Sequence, residues 1–80
     1  MPVVFRHGPY RFFFWSNEGD PREPLHIHVQ AGRATAKIWL EPDVSVADAH
    51  GFDARALREI VALVRPEITR IRRAWNDHFS

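Results

Sequence analysis

An α+β fold is predicted here: an antiparallel sheet of about four strands (β-β-β-β) followed by a C-terminal helical layer. Three observations carry it. Short β-branched and aromatic runs with period-two alternation fill the first half of the chain. Turn signals containing Gly or Pro separate those runs at hairpin distance. After Phe52 the apolar residues recur at spacings of three and four. Strands followed by helices in this order segregate the helices to one face of an antiparallel sheet.

Val3 to His7 forms the first strand, with Val3, Phe5 and His7 on one face. Gly8-Pro9 turns the chain, and Tyr10 to Ser16 returns as the other arm of a hairpin. Its aromatics alternate, Phe12 and Phe14 pointing one way and Phe13 and Trp15 the other. That pattern suits a central strand covered fully on one side and partly on the other. Ser16 to Pro24 has neither period and is rich in Gly, Pro and acidic groups, which marks a mobile or functional loop. In Pro24-Leu25-His26-Ile27-His28-Val29 the two histidines share one strand face while Ile27 and Val29 share the other.

Ala31-Gly32 is the next turn. Arg33 to Leu40 then sets Ala34, Ala36, Ile38 and Leu40 on one face and Thr35, Lys37 and Trp39 on the other. Pro42-Asp43 turns again, and Val44-Ser45-Val46 is compatible with a short edge strand. Asp53 is a good helix N-cap, and Phe52 is positioned to staple onto Leu57. Leu57, Ile60, Val61, Val64, Ile68, Ile71, Trp75 and Phe79 then make one helical stripe. Pro66 interrupts it, and a proline inside a helix costs ~3 kcal/mol. The stripe keeps its phase, so either a kinked pair of helices forms one layer or the helix breaks with Pro66 in the first turn of a second.

The 80 residues suffice for one domain, spanning 1–80. With a core this small, the three Trp, one Tyr and six Phe must supply much of the buried area. The absence of cysteine excludes a disulfide framework, a thiolate nucleophile and a Cys zinc site. No apolar run approaches the ~18–20 residues of a membrane span, and a cytoplasmic location is expected. A formal charge of +1 argues against a wholesale polyelectrolyte binder of nucleic acid. The charge is uneven, because from Arg55 to Arg73 six arginines, Arg55, Arg58, Arg65, Arg70, Arg72 and Arg73, face only Glu59 and Glu67. These arginines read as a solvated helix face or as a basic surface for an acidic partner or RNA. Trp75 and Phe79 read as core, or as a partner-binding patch if exposed.

Tyr10-Arg11-Phe12-Phe13-Phe14-Trp15-Ser16-Asn17-Glu18-Gly19, then Pro24-Leu25-His26-Ile27-His28-Val29, Ala36-Lys37-Ile38-Trp39-Leu40, Gly51-Phe52 and Ala74-Trp75-Asn76, occur in this order. Together they resemble a small bacterial family, domain of unknown function 4160, over nearly the whole chain. Leu25, where a second proline is usual, and Pro66, where a helix-compatible residue is usual, depart from the family pattern. The resemblance implies a stand-alone small protein, often encoded beside another small protein in an arrangement similar to toxin–antitoxin pairs. It implies no catalytic residues.

Chemistry concentrates at His26 and His28. Two imidazoles on one face can act as general base and acid, since imidazole titrates near neutral pH. They can instead hold a divalent metal, with a third ligand from His7, His50, His78, Glu18 or Asp20. The plainer reading is rings stacked on neighbouring aromatics and bonded to loop backbone. Ser16-Asn17-Glu18-Gly19 reads as a shaped turn, or as a loop that brings Glu18 to the histidine pair. Arg11 and Lys37 hold phosphate if they share the histidine face, and are otherwise ordinary sheet charges. The leading expectation is the toxin-like member of a protein pair, acting on RNA with His26 and His28 as acid and base and Arg11 or Lys37 steadying phosphate. The alternatives are a metallo-hydrolase liganded by His26, His28 and Glu18, and a non-catalytic interaction module. A homodimer by extension of the sheet edge is a further expectation.

Overall fold

Glycine-first turns build the sheet. The structure, a computed structural model describing residues 3–15 and 23–79, joins β1 (Val3–His7) to β2 (Tyr10–Phe13) through Gly8-Pro9. It joins β3 (His26–Ala31) to β4 (Ala34–Trp39) through Gly32-Arg33. Gly8 and Gly32 have φ of 55° and 60°, whereas no other residue type has positive φ among the described residues. A positive φ at the first of two turn residues alone is the type II′ geometry that matches strand twist.

The last strand, β5 (Ser45–His50), completes a five-stranded antiparallel sheet of order β1-β2-β3-β4-β5. The sequence suggested about four strands and a short edge piece ending at Val46, but β5 runs to His50. Ala47, Asp48 and Ala49 are weak strand formers, and it is pairing with β4 that holds them extended. A bulge between the Val46 and Asp48 pairs absorbs one extra residue. β2 in turn stops at Phe13, short of Ser16. The Glu41–Pro42 peptide between β4 and β5 is cis.

Alternation sorts the sheet into two unlike faces. Phe12, Val29 and Ala36 pair across β2, β3 and β4, and Ile27 pairs with Ile38. All are buried, and Phe5 stacks on Phe12 at 4.3 Å. This face receives the helices α1 (Ala54–Val64) and α2 (Ile68–Phe79), whose Ile60, Val64, Ile71 and Trp75 are buried against it. Fully burying one such aliphatic or aromatic side chain stabilises by roughly 1.5–3 kcal/mol.

The chain enters α1 through Gly51, whose φ is 85° and where an added Cβ would lie 3.1 Å from Ala34 Cα. Asp53 caps α1, its Oδ1 accepting the Ala56 N–H at 2.8 Å. Phe52 packs on Tyr10, with ring centroids 6.0 Å apart. Between the helices, Arg65–Glu67 forms one 3-10 turn with Pro66 in its first positions, where a missing N–H is harmless. The two helices therefore continue as one layer with a tightened joint, the first of the two arrangements expected at Pro66. Arg72 ties α2 to the β4–β5 connection through Glu41 at 2.6 Å. No helix among the described residues is long and apolar enough to cross a membrane.

Candidate functional site

The opposite sheet face carries the chemistry. Cross-strand pairing aligns Phe13, His28, Lys37 and Asp48 in one row across β2, β3, β4 and β5. Arg11, Gln30, Thr35 and His50 form the next row. Neighbours in such a row stand about 4.5–5.5 Å apart. Sheet twist makes the rows concave, and a hollow of about 190 Å³ is lined by Phe13, Trp15, His28, Thr35, Lys37, Asp48 and His50, with backbone from Val29 and Ala36 at its floor.

The aromatic wall of this hollow is ordered by edge-to-face and stacked contacts. Phe13 is buried under Trp15 at 5.2 Å and beside His28 at 5.7 Å. The Arg11 guanidinium lies 5.1 Å from the Phe13 centroid, and its Nη2 donates to Gln30 Oε1. Trp15 remains 49% exposed although its ring meets His28 at 5.9 Å. Lys37 Nζ donates to Glu23 Oε1 at 2.9 Å and sits 4.4 Å from the Trp39 centroid. On the far side, His50 Nε2 lies 3.1 Å from Asp48 Oδ2.

His26 and His28 do share a face, with rings 5.3 Å apart, yet their surroundings differ. His28 is half-buried at the hollow. His26 is wholly buried. Its Nδ1 is 2.9 Å from the Pro24 carbonyl oxygen, which can only accept, so Nδ1 carries the proton and donates. Trp75 of α2 lies 5.0 Å from the His26 ring, and Trp39 lies 5.5 Å from it. The local cause is the early end of β2. The β2–β3 ladder stops at Phe13↔His28, so β3 has no β2 neighbour beside His26. Trp75, held at 5.3 Å from Phe14, reaches round that end of the sheet.

Of the residues singled out in the sequence, the fold brings Arg11, His28 and Lys37 to one open face and sets His26 beneath its rim. Glu18 and Asp20, with the other residues from 16 to 22, lie outside the described residues. His7 is exposed at the far end of β1, and His78 stacks on Phe14 at 6.4 Å, so neither joins the pair. Among the described residues no group of three or more His, Asp or Glu is placed to hold one metal ion. The sequence marks Trp15 only as strand packing and His50 only as one of several candidate third metal ligands, and it gives Asp48 no role at this face. The alternation Asp48-Ala49-His50, which mirrors His26-Ile27-His28 two strands away, is the signal that marks them.

Family comparison agrees with the sequence resemblance. The chain belongs to the DUF4160 family, a domain of unknown function, which it matches over residues 10–76. No curated protein and no solved structure matches it.

Proposed function

We propose that this member of the DUF4160 family is a cytoplasmic, RNA-directed protein whose open sheet face takes a single-stranded segment, and that it is the toxin-like member of a protein pair. The observation that carries the reading is an exposed Trp15 lining one hollow with His28 and Lys37, with Arg11 on the same sheet face against Phe13. Single-stranded RNA is held by bases stacked on aromatic rings and phosphates set against cations. A base stacks on Trp15, and the adjoining phosphate replaces the Glu23 carboxylate as the partner of Lys37. The small net charge of +1 suits recognition of a short segment rather than long electrostatic tracking.

Within that complex His28 takes the 2′-hydroxyl proton, the 2′-oxygen attacks the adjoining phosphorus, and the bond from phosphorus to the 5′-oxygen breaks, the leaving 5′-oxygen taking a proton from water, while Lys37 offsets the charge building on the phosphate. His26 supports it from beneath the face, holding the imidazole of His28 edge-on rather than touching substrate. A cysteine-free composition suits the reducing cytoplasm.

The test is fluorescence anisotropy with a short labelled single-stranded RNA, followed by single-turnover cleavage. Trp15→Ala is expected to weaken binding by about 1–3 kcal/mol, the worth of one stacked base. Lys37→Ala is expected to lower the salt slope by about 0.7, one phosphate contact on a single strand. His28→Ala is expected to bind yet abolish cleavage. Equal binding by wild type, Trp15→Ala and Lys37→Ala removes the RNA reading, and undiminished cleavage by His28→Ala removes the catalytic one.

A further inference from the structure

A second surface, on the helix side of the molecule, is built for a different ligand. Between the outer edge of β5 and α1 runs an open groove of about 540 Å³ lined by Val46, Leu57, Arg58, Val61, Ala62 and Arg65. Val46 is 40% exposed, and Leu57 and Val61 are only partly covered by the core they flank. Among the described residues β5 is an outermost strand, and no other strand there pairs with its outer N–H and C=O groups. One outer group is already engaged nearby: the Ala49 N–H donates to Asp48 Oδ1 at 3.0 Å. Val46 is the residue of β5 that lines the groove, beside the bulge in the strand.

The charge of the rim selects the occupant. Arg58 lies on α1 and Arg65 caps its C-terminal end, two turns and about 10 Å further along the axis. Neither has an ion-pair partner among the described residues. The one carboxylate within α1, Glu59, is turned to Tyr10 and accepts its hydroxyl. A second copy of this chain docking edge to edge would bring two sets of these arginines together, and facing like charges disfavour that arrangement.

We infer that this groove receives an extended, acidic segment of a partner protein. The segment adds a strand to β5, lays alternate apolar side chains on Val46, Leu57 and Val61, and sets carboxylates against Arg58 and Arg65. Strand addition of this kind draws affinity from backbone hydrogen bonds and specificity from pockets for alternate side chains. The inference rests on the groove alone and stands independently of the RNA reading.

A random peptide display library, selected on the immobilised full-length protein, tests it. Selected peptides are expected to be rich in Asp and Glu alternating with β-branched residues. As synthetic peptides they should shift the amide resonances of Val46, Leu57 and Val61. The double variant Arg58→Ala/Arg65→Ala, altered only at exposed positions, should bind them at least tenfold more weakly while keeping RNA affinity within twofold. Failure to select any peptide, peptides without acidic enrichment, equal binding by the double variant, or shifts confined to the Trp15 face each overturn the proposal. So does a dimer in solution that Val46→Lys converts to monomer, because the groove then belongs to a second copy. Loss of peptide binding with retention of RNA binding keeps the two surfaces distinguishable.

Discussion

Replacing His26 with alanine separates a buried structural imidazole from a reacting one. The substitution removes a wholly buried ring that meets His28, Trp39 and Trp75 at 5.0–5.5 Å. Truncating a large buried side chain to alanine costs ~2–5 kcal/mol, and a ring as polar as imidazole belongs at the low end of that range. The lost Nδ1–H···O bond to Pro24 adds ~1 kcal/mol. A destabilisation of about 3 kcal/mol follows, which for a domain of this size lowers Tm by roughly 12–24 °C. His26→Asn, whose side-chain amide can place a donor near the Nδ1 position, should recover part of this loss. Urea unfolding followed by tryptophan fluorescence reads both variants. If His26→Ala unfolds within ~1 kcal/mol of wild type but loses activity on RNA, the packing argument fails and His26 is a group that meets substrate.

Two further outcomes test the fold around the site. Tyr10 has its pKa raised, first by its hydrogen bond to Glu59, then by burial and by the nearby charges of Glu59 and Asp53. The folded state thus favours the neutral phenol, and the stability this gives is present below the unfolded pKa of ~10 and lost as pH rises through the folded value. Tyr10→Phe should therefore unfold with a flatter alkaline limb than wild type in denaturation titrations across that range, and parallel limbs would refute the assignment. Gly51→Ala, strained at positive φ and against Ala34, should destabilise by at least ~1 kcal/mol in urea unfolding. A gain in stability would show that the β5–α1 junction adapts.

Period alone made much of this architecture legible. The alternation in Phe12-Phe13-Phe14-Trp15 divides core from open face as the structure does, and the stripe from Leu57 to Phe79 marks the residues that cover the sheet. Asp53 was readable as a cap because its chemistry is local. What escaped depends on partners distant in sequence. β5 could not be followed past Val46, because Ala47, Asp48 and Ala49 owe their extension to β4 rather than to their own preference. The contact of Phe52 with Tyr10, forty-two residues earlier, had no local signal. The pairing of faces put His26 and His28 together, but nothing in a strand's own pattern says how far the sheet reaches over each. That difference is made by Trp75, arriving from the last helix at the gap where β2 ends. The same limit hid Asp48, and left His50 one candidate among five, since their place at the hollow follows only from the strand order.

That strand order also governs how the molecule comes into being. Each strand pairs with the one made just before it, so the sheet can close hairpin by hairpin as synthesis proceeds, a topology of short-range links that folds fast. Its oily side, however, waits for Ile60, Val64, Ile71 and Trp75, which leave the ribosome afterwards. During that interval the nascent chain is a ready-made sheet with one unprotected slab, the kind of surface that chaperones seize and that glues incomplete chains to one another.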